Sequence, residues 1–388
     1  MKIVHFHNGT GGGVLSVIRN LLAHQQITDM EHHIIYTINR EQISTYSKPS
    51  LEGACSEQVF YYSPNWNFYY TCRQLSKLLP SADAVLVAHD WLELGMVSML
   101  GLQNPVVQVL HGDISYYYEL ALLNQKNIDI HICVSAVIER NLRTKLPHNS
   151  SVTICYERFP VPDVKIKIDN HQSELSLAYF VRDVTEERKQ MQLLPKIEEE
   201  LIQRGVSVKW YVSGKGMQQQ QFKQFWGATF SNRVHYLGEL NWFQLDNLLR
   251  SCNVMVLPSL SEGFPVSVVE AMKYGLVPFI SYWDGAVEDL VKHEHNGFVF
   301  KTQDAKVYVD SLLWLANNPA RLNAMRFEAQ KSSQILFDPF KNTLAYENLF
   351  ILAVNTCKVK KAFKAYGSRL DQTFIPNCFV TLIRNTIN

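Results

Sequence analysis

Glu262 and Glu270 are spaced eight apart in Pro258-Ser259-Leu260-Ser261-Glu262-Gly263-Phe264-Pro265-Val266-Ser267-Val268-Val269-Glu270-Ala271-Met272. This stretch follows the apolar run Val254–Leu257 and leads into helical periodicity. With Gly263 beside it, the Glu262 carboxylate can project from a loop while neighbouring backbone N–H groups stay open to a ligand. Glu270 is expected in the first turns of the helix, where negative charge suits the macrodipole. Two carboxylates across a loop-to-helix junction can reach different parts of one ligand. Taken alone, the pair also fits a helix-start charge and a solvated loop. A second candidate is Asn8-Gly9-Thr10-Gly11-Gly12-Gly13, between an opening strand and a helix. Its glycines let the backbone approach a phosphate or sugar, and the helix start offers free N–H groups and partial positive charge. The spacing is neither Gly-x-Gly-x-x-Gly nor a P-loop, which weakens hydride-transfer and NTPase readings. The bland alternative is a tight turn.

Histidines are the third source of chemistry. His111 follows the run Val106–Leu110, and His89-Asp90 follows Ala84–Ala88. A lone histidine at a strand end is often only a hydrogen-bonded loop residue. His5 with His7, and His293 with His295, have i,i+2 spacing but no third ligand nearby in sequence, so no metal site is expected.

The elements that must position these residues read as short β-branched runs alternating with amphipathic stretches, the signature of parallel sheets covered by helices. A first series runs through Lys2–His7, Ile34–Thr37, Ala84–Ala88, Val106–Leu110 and Ile130–Val134, with helices expected at Val14–Gln25, Phe68–Leu79 and Ser135–Leu146. Phe159–Ser173, rich in Pro and charge, reads as a linker. A second series follows at Leu175–Phe180, Val206–Val212, Val234–Leu237, Val254–Leu257 and Val277–Ser281, then helices from Ala305 onward. Asn241 and Gln244 have capping-box spacing. The expected fold class is α/β, two Rossmann-like domains facing a central cleft: residues 1–160, residues 174–340, and a tail at 341–388. Ligands of such sheets bind beyond the carboxyl ends of the strands.

Composition agrees. A chain of 388 residues exceeds what one core usually supports, and 37 Lys+Arg against 36 Asp+Glu provide no general footprint for nucleic acid. Apolar residues at 47% exclude intrinsic disorder. The start Met-Lys-Ile-Val-His-Phe-His lacks signal-peptide features, and no apolar run approaches about 18 residues, so a cytoplasmic location is expected. Seven scattered cysteines without Cys-x-x-Cys spacing suggest reduced thiols.

From Val234 to Phe300 the chain resembles the family-4 retaining glycosyltransferases of the GT-B fold. The resemblance rests on Val-His-Tyr-Leu-Gly, Leu-Pro-Ser, Glu-Gly-Phe-Pro with Glu-Ala-Met, Tyr-Gly-Leu-Val-Pro, Glu288 and Asn296-Gly297. The N-terminal half is similar more weakly, through the glycine loop, Ala88-His89-Asp90, Val109-Leu110-His111-Gly112 and Cys133-Val134-Ser135. The resemblance makes residues 1–160 the acceptor side and 174–340 the donor-binding half. It implies that Glu262 lies at the donor sugar and Glu270 on the nucleotide ribose. Backbone groups framed by Gly263, Phe264 and Pro265 would meet the donor, with Gly263 and Phe264 the better N–H donors because Pro265 has none. Arg182 and Lys189 would hold the diphosphate, with Arg188 an alternative to Lys189, and such charge suits a leaving group that becomes more anionic. His111 falls at a family histidine near the reacting sugar. The implied site is thus Glu262 and His111 at the chemistry and Gly12, Gly13, Arg182, Lys189, Gly263, Phe264, Pro265 and Glu270 on the donor.

The family generally uses neither metal nor other cofactor, the nucleotide sugar being a substrate. Departures from its pattern are Glu157-Arg158-Phe159-Pro160 in place of Asn-Gly, Val181 before Arg182, and Asn253 where Asp is common. The expected activity is transfer of a sugar from a nucleotide diphosphate donor, with UDP expected from family frequency, to a glycan or lipid-linked glycan acceptor in surface polysaccharide or glycolipid synthesis. An epimerase or phosphorylase of the same fold and a non-catalytic sugar-nucleotide binder are the alternatives. Lys358, Lys360, Lys361 and Lys364 precede an apolar tail that either packs back on the first domain or contacts the inner membrane surface peripherally.

Overall fold

The computed structural model describes residues 1–388 except 10–11, 46–49, 148–151, 167, 169–173, 284–286, 288–289 and 388. The chain divides into two compact units: Met1–Pro160 with Pro339–Asn388, and Val161–Asp338.

Unit 1 runs β1 (Lys2–His7), α1 (Gly13–Ala23), β2 (Glu31–Asn39), β3 (Ser56–Tyr62), α2 (Phe68–Ser76), β4 (Val85–Ala88), α3 (Trp91–Leu100), β5 (Val106–Leu110), α4 (Ser115–Leu123), β6 (Ile130–Cys133), α5 (Ala136–Lys145) and β7 (Thr153–Tyr156). Its strands are all parallel, in the order β3-β2-β1-β4-β5-β6-β7. Unit 2 runs β8 (Ser176–Asp183), α6 (Leu193–Gln203), β9 (Lys209–Lys215), α7 (Gln219–Trp226), β10 (Val234–Tyr236), α8 (Trp242–Ser251), β11 (Val254–Leu257), α9 (Val266–Lys273), β12 (Val277–Ser281), β13 (Phe298–Phe300), α10 (Ala305–Ala316) and α11 (Pro319–Leu336). Its strands are also parallel, ordered β10-β9-β8-β11-β12-β13. The chain then re-enters unit 1 with α12 (Pro339–Asn355) and α13 (Asn377–Ile387).

Both sheets are doubly wound. Strand order reverses between β1 and β4 in unit 1 and between β8 and β11 in unit 2, so the loops leaving those pairs diverge at the carboxyl edge and frame a crevice. The central strands are buried throughout, as a sheet covered on both faces requires: Val85–Ala88, Val106–Leu110 and Val254–Leu257 have every residue buried. Unit 2 is tied where the chain enters and leaves it. The fully buried Lys273 amine donates to Asp163 Oδ1 at 2.6 Å and to the Phe337 carbonyl at 3.0 Å, and the Val161 N–H meets the same carbonyl at 3.3 Å.

Several expectations need correction. Strands β3, β7 and β13 and helices α3, α4, α6 and α7 were not expected from periodicity. β8 extends to Asp183, so Arg182 sits in the strand rather than after it. Glu270 is the fifth residue of α9, whose first turn holds no acidic side chain, so the macrodipole argument for it lapses. The Asn241 cap forms as expected, with Asn241 and Gln244 exchanging side-chain-to-backbone bonds of 2.9 and 3.0 Å.

Candidate functional site

The crevice of unit 2 gathers opposite charges. From β8 come Arg182 and, on the 3-10 turn Glu187–Lys189, Arg188 and Lys189; from the loop after β11 comes Glu262. Because β8 and β11 pair side by side, their loops leave the sheet together. The Leu260 N–H donates to the Arg188 carbonyl at 2.7 Å, which ties the loops to each other. Glu262 is then held from both sides. Lys189 Nζ donates to Oε1 at 2.5 Å and Arg188 Nη1 to Oε2 at 3.2 Å, while the same Arg188 nitrogen reaches the Ser261 carbonyl at 3.2 Å.

Glu186 extends the network, pairing with Arg188 at 2.6 Å and with Arg182 at 3.1 Å. Three cations against two carboxylates leave these five groups one positive charge. The Glu262 side chain is 8% exposed and that of Arg188 46%, so the carboxylate is enclosed while the guanidinium faces solvent. Burial pulls the Lys189 amine below the ordinary lysine range, and the Glu262 carboxylate opposes that pull. Phe264 is buried and packs on Phe337 at 5.3 Å between ring centroids, which anchors the loop between Glu262 and α9. Such a cradle can hold a diphosphate: Arg188 and Arg182 are fixed by carboxylates yet reach water, and guanidinium forks match phosphate oxygens.

Sequence reading placed Glu262, Arg182 and Lys189 together and left Arg188 and Lys189 as alternatives; the structure puts both on Glu262. Glu186, the bridge between the two arginines, was missed. No helical spacing signals it, because Arg182 lies in β8 and Glu186 in the turn that follows. Glu270 lies on α9, half-buried. Glu288, named in the motif, lies outside the described residues.

Unit 1 holds the rest of the expected site. Gly12, with φ of 95°, caps α1 without a side-chain bond, and Gly13 is its first residue. That positive φ is a conformation glycine adopts without steric cost. Gly11 of the same loop lies outside the described residues. His111, just beyond β5, meets His89, just beyond β4, with 2.7 Å between Nε2 and Nδ1. Burial pushes the His111 imidazole down to about 3 and that of His89 well below its usual value, with neighbouring histidines adding to both shifts. These rings are therefore neutral at physiological pH. Tyr116 Oη donates to the Asp90 carboxylate. Beyond Trp91 lies a cavity of about 230 Å³ walled by Tyr62, Trp66, Phe68, Trp91 and Tyr366. Among the described residues no group of three or more His, Cys, Asp or Glu is placed to hold a metal ion.

Comparison with known proteins bears on the fold and on unit 2. Residues 163–332, under half of the chain but nearly all of unit 2, match the family Glycosyl transferases group 1. A Campylobacter jejuni N,N'-diacetylbacillosaminyl-diphospho-undecaprenol alpha-1,3-N-acetylgalactosaminyltransferase is 38% identical over 105 residues, 27% of each chain. An Escherichia coli UDP-Gal:alpha-D-GlcNAc-diphosphoundecaprenol alpha-1,3-galactosyltransferase is 29% identical over 123 residues, 32% of this chain and 31% of that one. The matched stretch thus spans under a third of these relatives. Among solved structures, Anabaena HepE in complex with UDP and glucose superposes with a TM-score of 0.71 over 91% of this chain and 100% of that one at 14% identity. The fold is that of the GT-B glycosyltransferases, two Rossmann-like α/β units, and the likeness to the group 1 glycosyltransferases lies in the stretch 163–332.

Proposed function

We propose that the chain is a retaining glycosyltransferase of the family-4 kind, moving a hexosyl group from a nucleotide diphosphate donor, UDP by preference, to a hydroxyl of a lipid-linked glycan. The observation that carries this reading is the Arg188–Glu262–Lys189 cluster at the strand-order reversal of unit 2, within the group 1 match. The Campylobacter jejuni and Escherichia coli relatives, both named for diphosphoundecaprenol-linked sugars, support the acceptor class.

In this mechanism Arg182, Arg188 and Lys189 stabilise charge that grows on the diphosphate as the glycosidic bond breaks. Glu262 holds Lys189 and Arg188 in place and lies at the donor sugar. The acceptor oxygen attacks the sugar from the face the phosphate leaves, and the departing phosphate takes the acceptor proton. No carboxylate nucleophile and no metal is required. The aromatic cavity beside Trp91 offers stacking faces to an acceptor sugar. We place the work in surface glycan synthesis at the cytoplasmic face of the membrane. There the exposed Lys361 and Lys364, with Phe379 and Leu382 of α13, make a peripheral contact.

A transfer assay with UDP-sugars and a prenyl-diphosphate-linked sugar acceptor tests the reading. Glu262→Gln is expected to lower turnover at least about a hundredfold, as loss of one preorganised charged group does, with the melting transition retained. Near-normal turnover in that variant would remove Glu262 from the site.

A further inference from the structure

The histidines of unit 1 form a row that the transfer reaction does not by itself explain. His32 Nδ1 lies 3.0 Å from His5 Nε2, the rings of His5 and His89 stack at 6.3 Å and 13°, and His89 Nδ1 lies 2.7 Å from His111 Nε2. His5, His32 and His89 are buried, and His32 Nε2, His5 Nδ1 and His89 Nε2 have no protein hydrogen-bond partner. The His89 backbone is clamped as well: the N–H groups of His89 and Asp90 both donate to Glu93 Oε1, at 2.7 and 2.6 Å.

We propose that His89 is a positioning residue for His111, holding it as the Nδ1–H tautomer, so that His111 meets its ligand as a hydrogen-bond donor to an oxygen and not as a proton acceptor. The argument is one of proton counting. A neutral imidazole carries one N–H, so each contact in the row has one donor and one acceptor. His89 Nε2 is buried without a partner, so a proton there would be an orphaned N–H. With the proton on Nδ1 instead, His89 donates to His111 Nε2 at 2.7 Å and only an acceptor is left over. The His5–His32 contact leaves one unpartnered N–H in either direction, at His5 Nδ1 or at His32 Nε2, and does not choose between the tautomers. Buried N–H groups without acceptors are the rarer and costlier case. His111 therefore carries its proton on Nδ1, the nitrogen not bonded to His89. On the proposed reading the oxygen it meets belongs to the donor sugar or its phosphate, and a donor there stabilises the ligand without competing for the acceptor's proton.

The test is a 15N–1H correlation spectrum of the full chain labelled with 15N-histidine, the His111 signals assigned by their loss in His111→Gln. The wild type should show His111 protonated on Nδ1. His89→Asn, whose amide stands where Nδ1 stood, should keep that pattern, and His89→Gln should release His111 to the Nε2–H form. His111 protonated on Nε2 in the wild type, or one unchanged tautomer across the wild type and both variants, overturns the proposal. Should the variants fail to fold, the wild-type spectrum alone decides it. In the transfer assay His89→Asn should stay within about threefold of wild-type kcat, and His89→Gln should lose at least about tenfold with donor KM little changed; equal losses in both would contradict the assignment. The spectrum needs no turnover, so a chain without transferase activity still reports the tautomer, and the two readings fail separately.

Discussion

At the scale of single residues, the site in unit 2 turns on how Glu262 is paired. Its two oxygens engage a buried amine and an exposed guanidinium, so its partners are unequal. Lys189 loses its charge at a lower pH than a free lysine because burial disfavours the ammonium, and Glu262 limits that loss. The sign follows directly. Nucleoside diphosphate affinity that depends on the Lys189 charge is full below its folded pKa and falls as pH rises through it, in a window below the ordinary lysine value. Glu262→Gln removes the opposing carboxylate and should move that fall to still lower pH. Titrating UDP binding by calorimetry from neutral to alkaline pH in both proteins checks this; a fall at the same pH in both would separate Glu262 from Lys189. Part of this scale was legible in sequence: Glu262 stands out by its place in the motif, and Arg182, Arg188 and Lys189 came from the family resemblance. Glu186 was not, since the pairing that gives it meaning depends on how the 3-10 turn folds back beside β8.

At the scale of elements, the bend that presents Arg182 is a backbone device. The pairing of β8 with β9 shifts register between Phe180 and Asp183. Opposite that irregularity Gly214 has φ of +150°, and a Cβ there would stand 2.6 Å from the Val181 carbonyl oxygen. Gly214→Ala should therefore cost about 1–3 kcal/mol. A thermal melt should show a drop of several degrees, with UDP affinity lowered because Arg182 moves; an unchanged melt would mean that the strands part freely. The elements that escaped sequence reading share physical causes. α3 is buried over most of its surface, from Leu92 through Ser98, so its apolar residues show no one-sided period. β3 is an edge strand whose Ser56, Glu57 and Gln58 break the apolar alternation, and β13 has only three residues. The Asn241 cap was legible because all its partners lie within one turn.

At the scale of the molecule, the C-terminal residues complete unit 1. Lys360 Nζ bonds Asp129 at 2.8 Å with both side chains fully buried, and Arg384 bonds Asp371 at 2.7 Å. Asp371 in turn accepts the Phe68 N–H at the start of α2. Sequence reading grouped Lys360 with the basic cluster because a lysine's burial partner is invisible when it stands 231 residues away. The structure splits that cluster into Lys360, which is structural, and Lys361 and Lys364, which are exposed. Lys360→Met leaves Asp129 buried without its cation and should cost about 3–5 kcal/mol, read by urea unfolding. Lys361→Gln with Lys364→Gln should leave stability within about 0.5 kcal/mol and weaken flotation with vesicles containing anionic lipid. Equal flotation of wild type and double variant would contradict the peripheral contact proposed for these lysines.

The central claim is that the cluster at the strand-order reversal of unit 2 holds a nucleoside diphosphate. The most direct measurement is the melting temperature of the full chain with UDP, UDP-sugars and GDP-sugars, because a ligand that binds only the folded state must raise it. A rise with at least one of them that Arg188→Ala with Lys189→Ala abolishes is the predicted result. No rise with any of these ligands, or a rise that survives the double substitution undiminished, would contradict the account.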